Sequence, residues 1–392
     1  MKKSLFALAA LTAVAGVAQA QSSVTLYGTL DQGVASVSNN AKGLNSVGMQ
    51  GSLMESSQWG LKGSEDLGSG MKATFKLESQ INSPDGTMHT ANTLFDRASW
   101  VGLESSTLGS LHGGRELSPY IATALQYPNP GFSYSVSQLA GAGSILNGFF
   151  TPNAITYSSP AIGPVNVSLQ YAPGQVAGDT TASTYWAAAA TADVGGGVSL
   201  NTAYHVMGAS TGATASGSSS SLGGQPNQNS AFVVGANYTA GKFAVGGNFT
   251  QTVRGALTAY NNGSLTGSTN TAGTATAQTT ISTWNLGASY DVAPKVRLFA
   301  NYSQSTTDNS LFGTSSIMSA AARYTLSPRT YLTAFVNHVN DAAPTSFGGF
   351  TALWGDGLGH GDVGGAVGSS TAAASGNTQS ATVVGLGVTT HF

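Results

Sequence analysis

The most informative chemistry in this chain is a row of charges at strand spacing. From Met71 to Ile81, Lys72, Thr74, Lys76, Glu78 and Gln80 alternate with Met71, Ala73, Phe75, Leu77 and Ile81. Residues two apart in a strand share a face, so one face is charged and the other apolar. Lys62, opposite Trp59 and Leu61, and Arg97 belong to the same charged set by parity. Fixed charges on such a face either line water, where they sort passing ions, or pair with one another in a buried wall. A one-residue slip would carry three charges to the apolar side, so register is strongly specified.

Other chemistry is weakly signalled. Gly208-Ala209-Ser210-Thr211-Gly212 has the spacing of a hydrolase nucleophile elbow, but no strand-turn-helix pattern surrounds it. Gly359-His360-Gly361-Asp362-Val363-Gly364 has dinucleotide-binding spacing, yet no helix follows to offer its N-terminus to a phosphate. His89, His112, His205, His338, His360 and His391 form no pair at helical ligand spacing. Asp356 and Asp362 could hold a loop cation or be solvated carboxylates. No catalytic residue, metal site or cofactor is expected.

Composition narrows the class. The chain has 392 residues, 41% of them hydrophobic but only 8% charged, and no cysteine. Soluble domains carry about 25% charged residues. Lacking cysteine, it has no disulfide framework and no thiolate metal site. Removing Lys2 and Lys3 with a leader takes the formal charge from −2 to −4, so nucleic acid is not an expected partner. Lys2 and Lys3, the apolar run Leu5 to Val17 and Ala18-Gln19-Ala20 read as a secretory signal. The expected division is 1–20 signal peptide and 21–392 one barrel domain.

Beyond residue 20 no apolar run reaches the ~18 residues of a membrane helix. Apolar residues recur instead at alternate positions, as in Val24, Leu26 and Leu30 against Tyr27 and Asp31. The segment Ser380, Thr382, Val384, Leu386, Val388, Thr390, Phe392 alternates up to its terminal aromatic. Such alternation fits an outer-membrane β-barrel, lipid outside and water inside. Sixteen strands are predicted: 24–31, 56–64, 71–81, 94–103, 108–115, 153–159, 164–172, 183–193, 198–207, 230–239, 242–253, 280–290, 295–305, 315–326, 329–340 and 380–392. Short connections alternate with long ones, 116–152, 208–229, 254–279 and 341–379, rich in Gly, Ser, Thr and Ala. The long ones are expected outside the cell.

An ordered set of segments then resembles the Gram-negative general porins, in particular their sixteen-stranded β-proteobacterial branch. They are Ser23-Val24-Thr25-Leu26-Tyr27-Gly28 with Asp31, Trp59-Gly60-Leu61-Lys62-Gly63-Ser64-Glu65-Asp66-Leu67-Gly68, Phe75-Lys76-Leu77-Glu78-Ser79, Arg97-Ala98-Ser99-Trp100-Val101-Gly102-Leu103, Gly114-Arg115, Ile155-Thr156-Tyr157, Tyr324-Thr325-Leu326-Ser327-Pro328 and Phe392. The resemblance implies an all-β, sixteen-stranded antiparallel transmembrane barrel with its long third loop folded into the pore. It implies a homotrimer in outer-membrane lipid and lipopolysaccharide, passing small hydrophilic solutes and ions by passive diffusion. Phe392 would serve assembly, read by the barrel-insertion machinery.

The expected pore-lining set is Arg97, Arg115, Lys62, Lys72, Lys76, Glu78 and Asp31, with Tyr120, Tyr127 and Phe132 on the third loop. Arg97 and Arg115 stand at arginine positions of the family pattern; a bulge at the start of the loop could redirect Arg115. Relatives carry acidic residues on that loop, but from Leu117 to Gly178 there is no Asp, Glu, Lys or Arg. The loop aromatics either pack it on the wall or offer an aromatic surface to sugars and aromatic solutes. The alternatives are therefore a solute-selective porin and, from other classes, an adhesin or structural barrel and a barrel hydrolase.

Overall fold

The computed structural model describes residues 23–39, 44–129, 150–174, 184–208, 229–254, 278–308, 314–341 and 379–392. The strands are β1 Ser23–Asn39, β2 Leu44–Gly51, β3 Gln58–Gly68, β4 Met71–Asn82, β5 Thr87–Met88, β6 Ala98–Ser105, β7 Gly109–Leu117, β8 Phe150–Ser158 and β9 Val165–Ala172. They continue as β10 Tyr185–Gly195, β11 Val198–Met207, β12 Asn229–Ala240, β13 Phe243–Arg254, β14 Thr279–Ala293, β15 Val296–Thr307, β16 Thr314–Ser327, β17 Thr330–Asp341 and β18 Gln379–His391. A short helix, α1 Pro119–Ala124, follows β7.

Every ladder is antiparallel, and β1 pairs with β18 to close the sheet. The lower part of β1 pairs with β3 and its upper part with β2, so β2 and β3 are two halves of one wall strand. The two-residue β5 only extends a hairpin beyond β4. The wall thus has sixteen strands among the described residues. Closure leaves no edge, which is what lets a sheet sit in hydrocarbon with every backbone group satisfied.

Side chains obey the period of two. In β15, Phe299, Asn301 and Ser303 are buried while Leu298 and Tyr302 are exposed. The outer face is continuous and apolar: Val24, Leu26, Val101, Leu286, Val384 and Leu386 are all more than half exposed. A band of that size would be untenable in water. Trp186, Tyr204 and Trp284 are exposed towards the long-loop end, and Tyr238, Phe243, Tyr290, Tyr324 and Phe392 towards the short-turn end. These are the two aromatic girdles of a membrane barrel.

Two of the departures from the expected strand boundaries each trace to one acidic side chain. β1 runs on to Asn39 and β2 precedes the expected strand at 56–64, because residues 52–57 leave the wall and turn inward. The Asp31 carboxylate draws them in, accepting from the backbone N–H groups of Leu53 at 2.6 Å and of Met54 and Glu55 at 3.2 Å. Leu53 and Met54 then pack on Ala35, Phe299, Ala321, Phe335 and Val383 inside the barrel. The strand expected at 94–103 starts only at Ala98. Asp96 is held by the Gln80 N–H and the Thr90 hydroxyl, both at 2.8 Å, which takes 94–97 out of the ladder.

Candidate functional site: the inner wall and its inward loop

Glu78 is the hub of the charged wall. It is buried on β4, and its carboxylate accepts from Tyr27 Oη at 2.7 Å, Lys76 Nζ at 2.9 Å and Arg97 Nε at 3.0 Å. Arg97 also donates to Gln80 Oε1 at 2.8 Å and lies over the Phe150 ring at 4.8 Å. The Tyr27 ring sits beneath Lys62 and Lys76, 5.1 and 5.9 Å from its centroid. One acid and one phenol therefore position three cations. Charge-assisted bonds of this kind are about twice as strong as neutral ones.

Around this hub, Lys62, Lys72, Lys76, Thr25, Trp100 and Glu104 line an open cavity of about 290 Å³ on the inner wall. Trp100 stacks on His112, with centroids 3.9 Å apart, and His112 reaches Glu116 at 3.1 Å. Arg115 stands where the β7–β8 register shifts, between Gly114 and Glu116. Strict alternation would send it outward with Leu111 and Gly113; its Nε instead donates to the Asp96 carbonyl at 2.6 Å. Asp31 lies on the inner side but is only 1% exposed, with both carboxylate oxygens engaged by residues 53–55 and Thr389. It anchors an inward segment and presents little charge to water.

On the opposite wall a loop covers a stretch of uncharged inward side chains. Ser118 caps α1, accepting from the Tyr120 N–H, and hydrogen-bonds the Tyr185 hydroxyl. Tyr120 is fully buried and stacks on His205 at 4.2 Å; Ile121 and Ala124 pack on Ala172, Ala187, Ala189, Ala203, Ala231 and Val233. The small inward side chains of β9–β12 make room for the helix. Beyond it, inward asparagines hold the chain by its carbonyls. Asn248 donates to Ala124 O at 2.8 Å, Asn237 to Gln126 O at 2.9 Å and Asn301 to Pro128 O at 2.7 Å. A Cβ on Gly287 would lie 1.8 Å from Pro128 O, so the approach there requires glycine. Residues 118–129 thus run along the inner wall from β9 to β15.

Tyr120 and Tyr127 are both buried in this seam. Phe132 lies outside the described residues, as do 209–212, 359–364, Asp356 and most of the long loops. Among the described residues, no cluster of three His, Asp or Glu side chains could hold a metal.

The sequence reading missed Tyr27, the asparagine row and the interior alanine patch. The first had a signal, since Tyr27 shares parity with Lys62 through the β1–β3 register. The others had one too: β10 to β12 carry apolar residues on both faces, which a water-filled interior forbids unless something docks there.

Phe392 sits at the seam of the barrel. Its N–H donates to Gly28 O at 3.0 Å and its carbonyl accepts from Gly28 N at 3.1 Å. Its ring occupies the space a Gly28 side chain would need, with the ring edge 2.3 Å from an ideal Cβ.

Comparison with known proteins agrees with this geometry. Outer membrane porin protein 32 of Delftia acidovorans is 41% identical over 181 residues, 44% of this chain and 50% of that protein. Major outer membrane protein P.IB of Neisseria meningitidis serogroup B is 32% identical over 191 residues, 48% of this chain and 54% of that protein. The chain spans about half the length of the curated relatives it matches. Among solved structures, an anion-selective porin from Comamonas acidovorans superposes with a TM-score of 0.70 over 95% of this chain and all of that one, at 24% identity. Salmonella typhi OmpF, solved with daunomycin, gives 0.62 over 94% of this chain and 97% of that one, at 17% identity. At these identities the two superpositions establish the fold alone. The profile of the Gram-negative porin family matches residues 7–344, and the chain belongs to that family as an outer-membrane β-barrel.

Proposed function

We propose that the protein is a passive diffusion channel for small hydrophilic solutes and ions. The observation that carries this is a closed apolar-walled barrel whose charged inner face is open on one side and covered by an inward loop on the other. Transport follows from size exclusion, modulated by wall charge. No step of it needs a nucleophile or a general base.

Selectivity is a weak tilt towards anions. Lys62 and Lys72 make no ion pair among the described residues, whereas Lys76 and Arg97 share Glu78. The tilt is read from these side chains; the likeness to an anion-selective porin does not carry it. Burial of Tyr120 and Tyr127 supports general diffusion over an aromatic track for sugars. The working unit is a homotrimer. Its support is the aliphatic outer face at the seam, with Val24, Leu26, Leu30, Val384, Leu386 and Val388 exposed and, among the described residues, no exposed aromatic towards the long-loop end.

Liposome swelling with sugars of graded size tests the diffusion reading. Rates should fall smoothly with solute size, without saturation. Saturation by one sugar would favour a solute-selective channel, and no swelling at all would favour an adhesin or structural barrel.

A further inference from the structure

We propose that Glu55 is a selectivity-determining residue of the pore, acting from inside the lumen against the cations of the Glu78 wall. It does not stand on a wall strand. Residues 52–57 leave the ladder between β2 and β3, and Asp31 closes them into a loop. Its carbonyl accepts from the Ser52 N–H at 2.8 Å and the Ser57 hydroxyl at 2.9 Å, and its carboxylate accepts from the N–H groups of 53–55. The Ser57 N–H donates to Ser52 Oγ at 2.8 Å across the neck of the loop, and Ser52 turns the chain inward with a φ of 55°.

The loop is packed into the wall, so the place of Glu55 is fixed. Leu53 fills a hollow over Gly33 and Gly387, whose ideal Cβ atoms would lie 2.7 and 2.8 Å from its Cδ1. Leu53 and Met54 are turned into the wall, and Glu55 follows them towards the short-turn end of the barrel. There its carboxylate accepts from the Tyr331 hydroxyl and lies 3.7 Å from His391 Nε2. Its side chain stays 35% exposed, against 5% for Glu78. Tyr331 and His391 share the inward parity of Phe335 and Thr389, so the exposed part of Glu55 faces the water of the lumen.

The composition of the surrounding wall makes this acid count. Tyr331–Asn337 and Val383–His391 contain no Asp, Glu, Lys or Arg, and Asp31, the acid of β1, is 1% exposed. Along this stretch, among the described residues, Glu55 is therefore the acid that meets water. Arg323 on β16 lies over the face of the Tyr331 ring at 4.0 Å, while Glu55 takes the hydroxyl. One aromatic side chain thus spaces two opposite charges near the short-turn mouth. A fixed carboxylate beside a water-filled path favours cations and disfavours anions. Glu55 thereby offsets part of the field of Lys62 and Lys72, which keeps the anion tilt weak.

This role rests on the channel reading, and the experiment separates the two. The chain has no cysteine, so Glu55→Cys carries a single thiol. Reversal potentials across a potassium chloride gradient are recorded in planar bilayers for the parent, Glu55→Gln and Glu55→Cys. Glu55→Gln keeps an acceptor for Tyr331 and should raise the anion-to-cation permeability ratio about two-fold near 0.1 M salt, an effect lost at ~1 M. On Glu55→Cys, a sulfonate-bearing methanethiosulfonate should restore the parent's ratio. A trimethylammonium-bearing one should carry it to about four-fold above the parent, two charge steps away. An unchanged ratio in folded, heat-modifiable Glu55→Gln, or open Glu55→Cys channels indifferent to both reagents, overturns the role of Glu55 and leaves the channel standing. Absent conductance in the parent would instead overturn the channel.

Discussion

Replacing Glu78 with glutamine should make the channel more anion-selective, because it releases two cations without removing either. In the native wall the carboxylate holds Lys76 at 2.9 Å and Arg97 at 3.0 Å. The amide is isosteric and can still accept from Tyr27, so the change is chiefly one negative charge. An ion passing about 8 Å from that charge in water feels roughly 0.5 kcal/mol. The effect has opposite sign for cations and anions, so the unscreened permeability ratio shifts about six-fold. At 0.1 M salt the Debye length of ~10 Å cuts this to about two-fold, and at 1 M, with ~3 Å, it vanishes. Reversal potentials across a potassium chloride gradient, recorded at low and high salt, read the shift. The folding cost should stay below the ~3–5 kcal/mol of breaking a fully buried pair, since Lys76 and Arg97 are 33% and 17% exposed at the side chain. A heat-modifiable gel band confirms that the variant is folded. An unchanged ratio in folded protein, or a shift towards cations, would refute the electrostatic account of this wall.

Arg97→Ala should do the reverse, leaving Glu78 with Lys76 alone and moving the reversal potential towards cations by a similar factor; no shift would misplace the charge that sets selectivity. Tyr120→Ala removes the ring stacked on His205 and should cost about 3–5 kcal/mol locally, loosening α1 from β9–β12. Its single-channel current should grow larger or noisier, whereas a current identical to the parent's would mean the loop is held elsewhere. Gly28→Val sets a branched side chain against the Phe392 ring and should lower outer-membrane yield and heat resistance. Gly113→Ala, where a Cβ meets nothing within 4 Å, should behave as the parent does.

The wall was legible because a barrel strand repeats one simple constraint. Lys72, Lys76 and Glu78 cannot face lipid, so β4 has a single register, and its neighbours follow. What escaped was set by contacts between residues distant in the chain. Nothing near Asp31 announces that its carboxylate will gather the N–H groups of 53–55 and bend a strand inward. Residues 94–97 alternate acceptably, and only the side chain of Asp96 shows why they leave the ladder. Arg115 looks inward beside the family pattern and outward by parity; the bulge next to it decides, and bulges have no strong local signature. The loop's inward course was implied by resemblance. Its partners, the alanines of β9–β12 and the asparagines facing Ala124, Gln126 and Pro128, were visible as an anomaly, an apolar patch on a face meant for water.

The central claim is that this barrel is an open, wall-sorted channel, and single-channel recording of the purified protein in planar bilayers tests it most directly. The account predicts stepwise, ohmic conductance in potassium chloride, arriving in groups of three equal levels. In a salt gradient the reversal potential should be small and on the anion side, shrinking as ionic strength rises. A silent protein in correctly folded, heat-modifiable form would contradict the channel itself. Strong cation selectivity at low salt would leave the channel in place but contradict the reading of its wall.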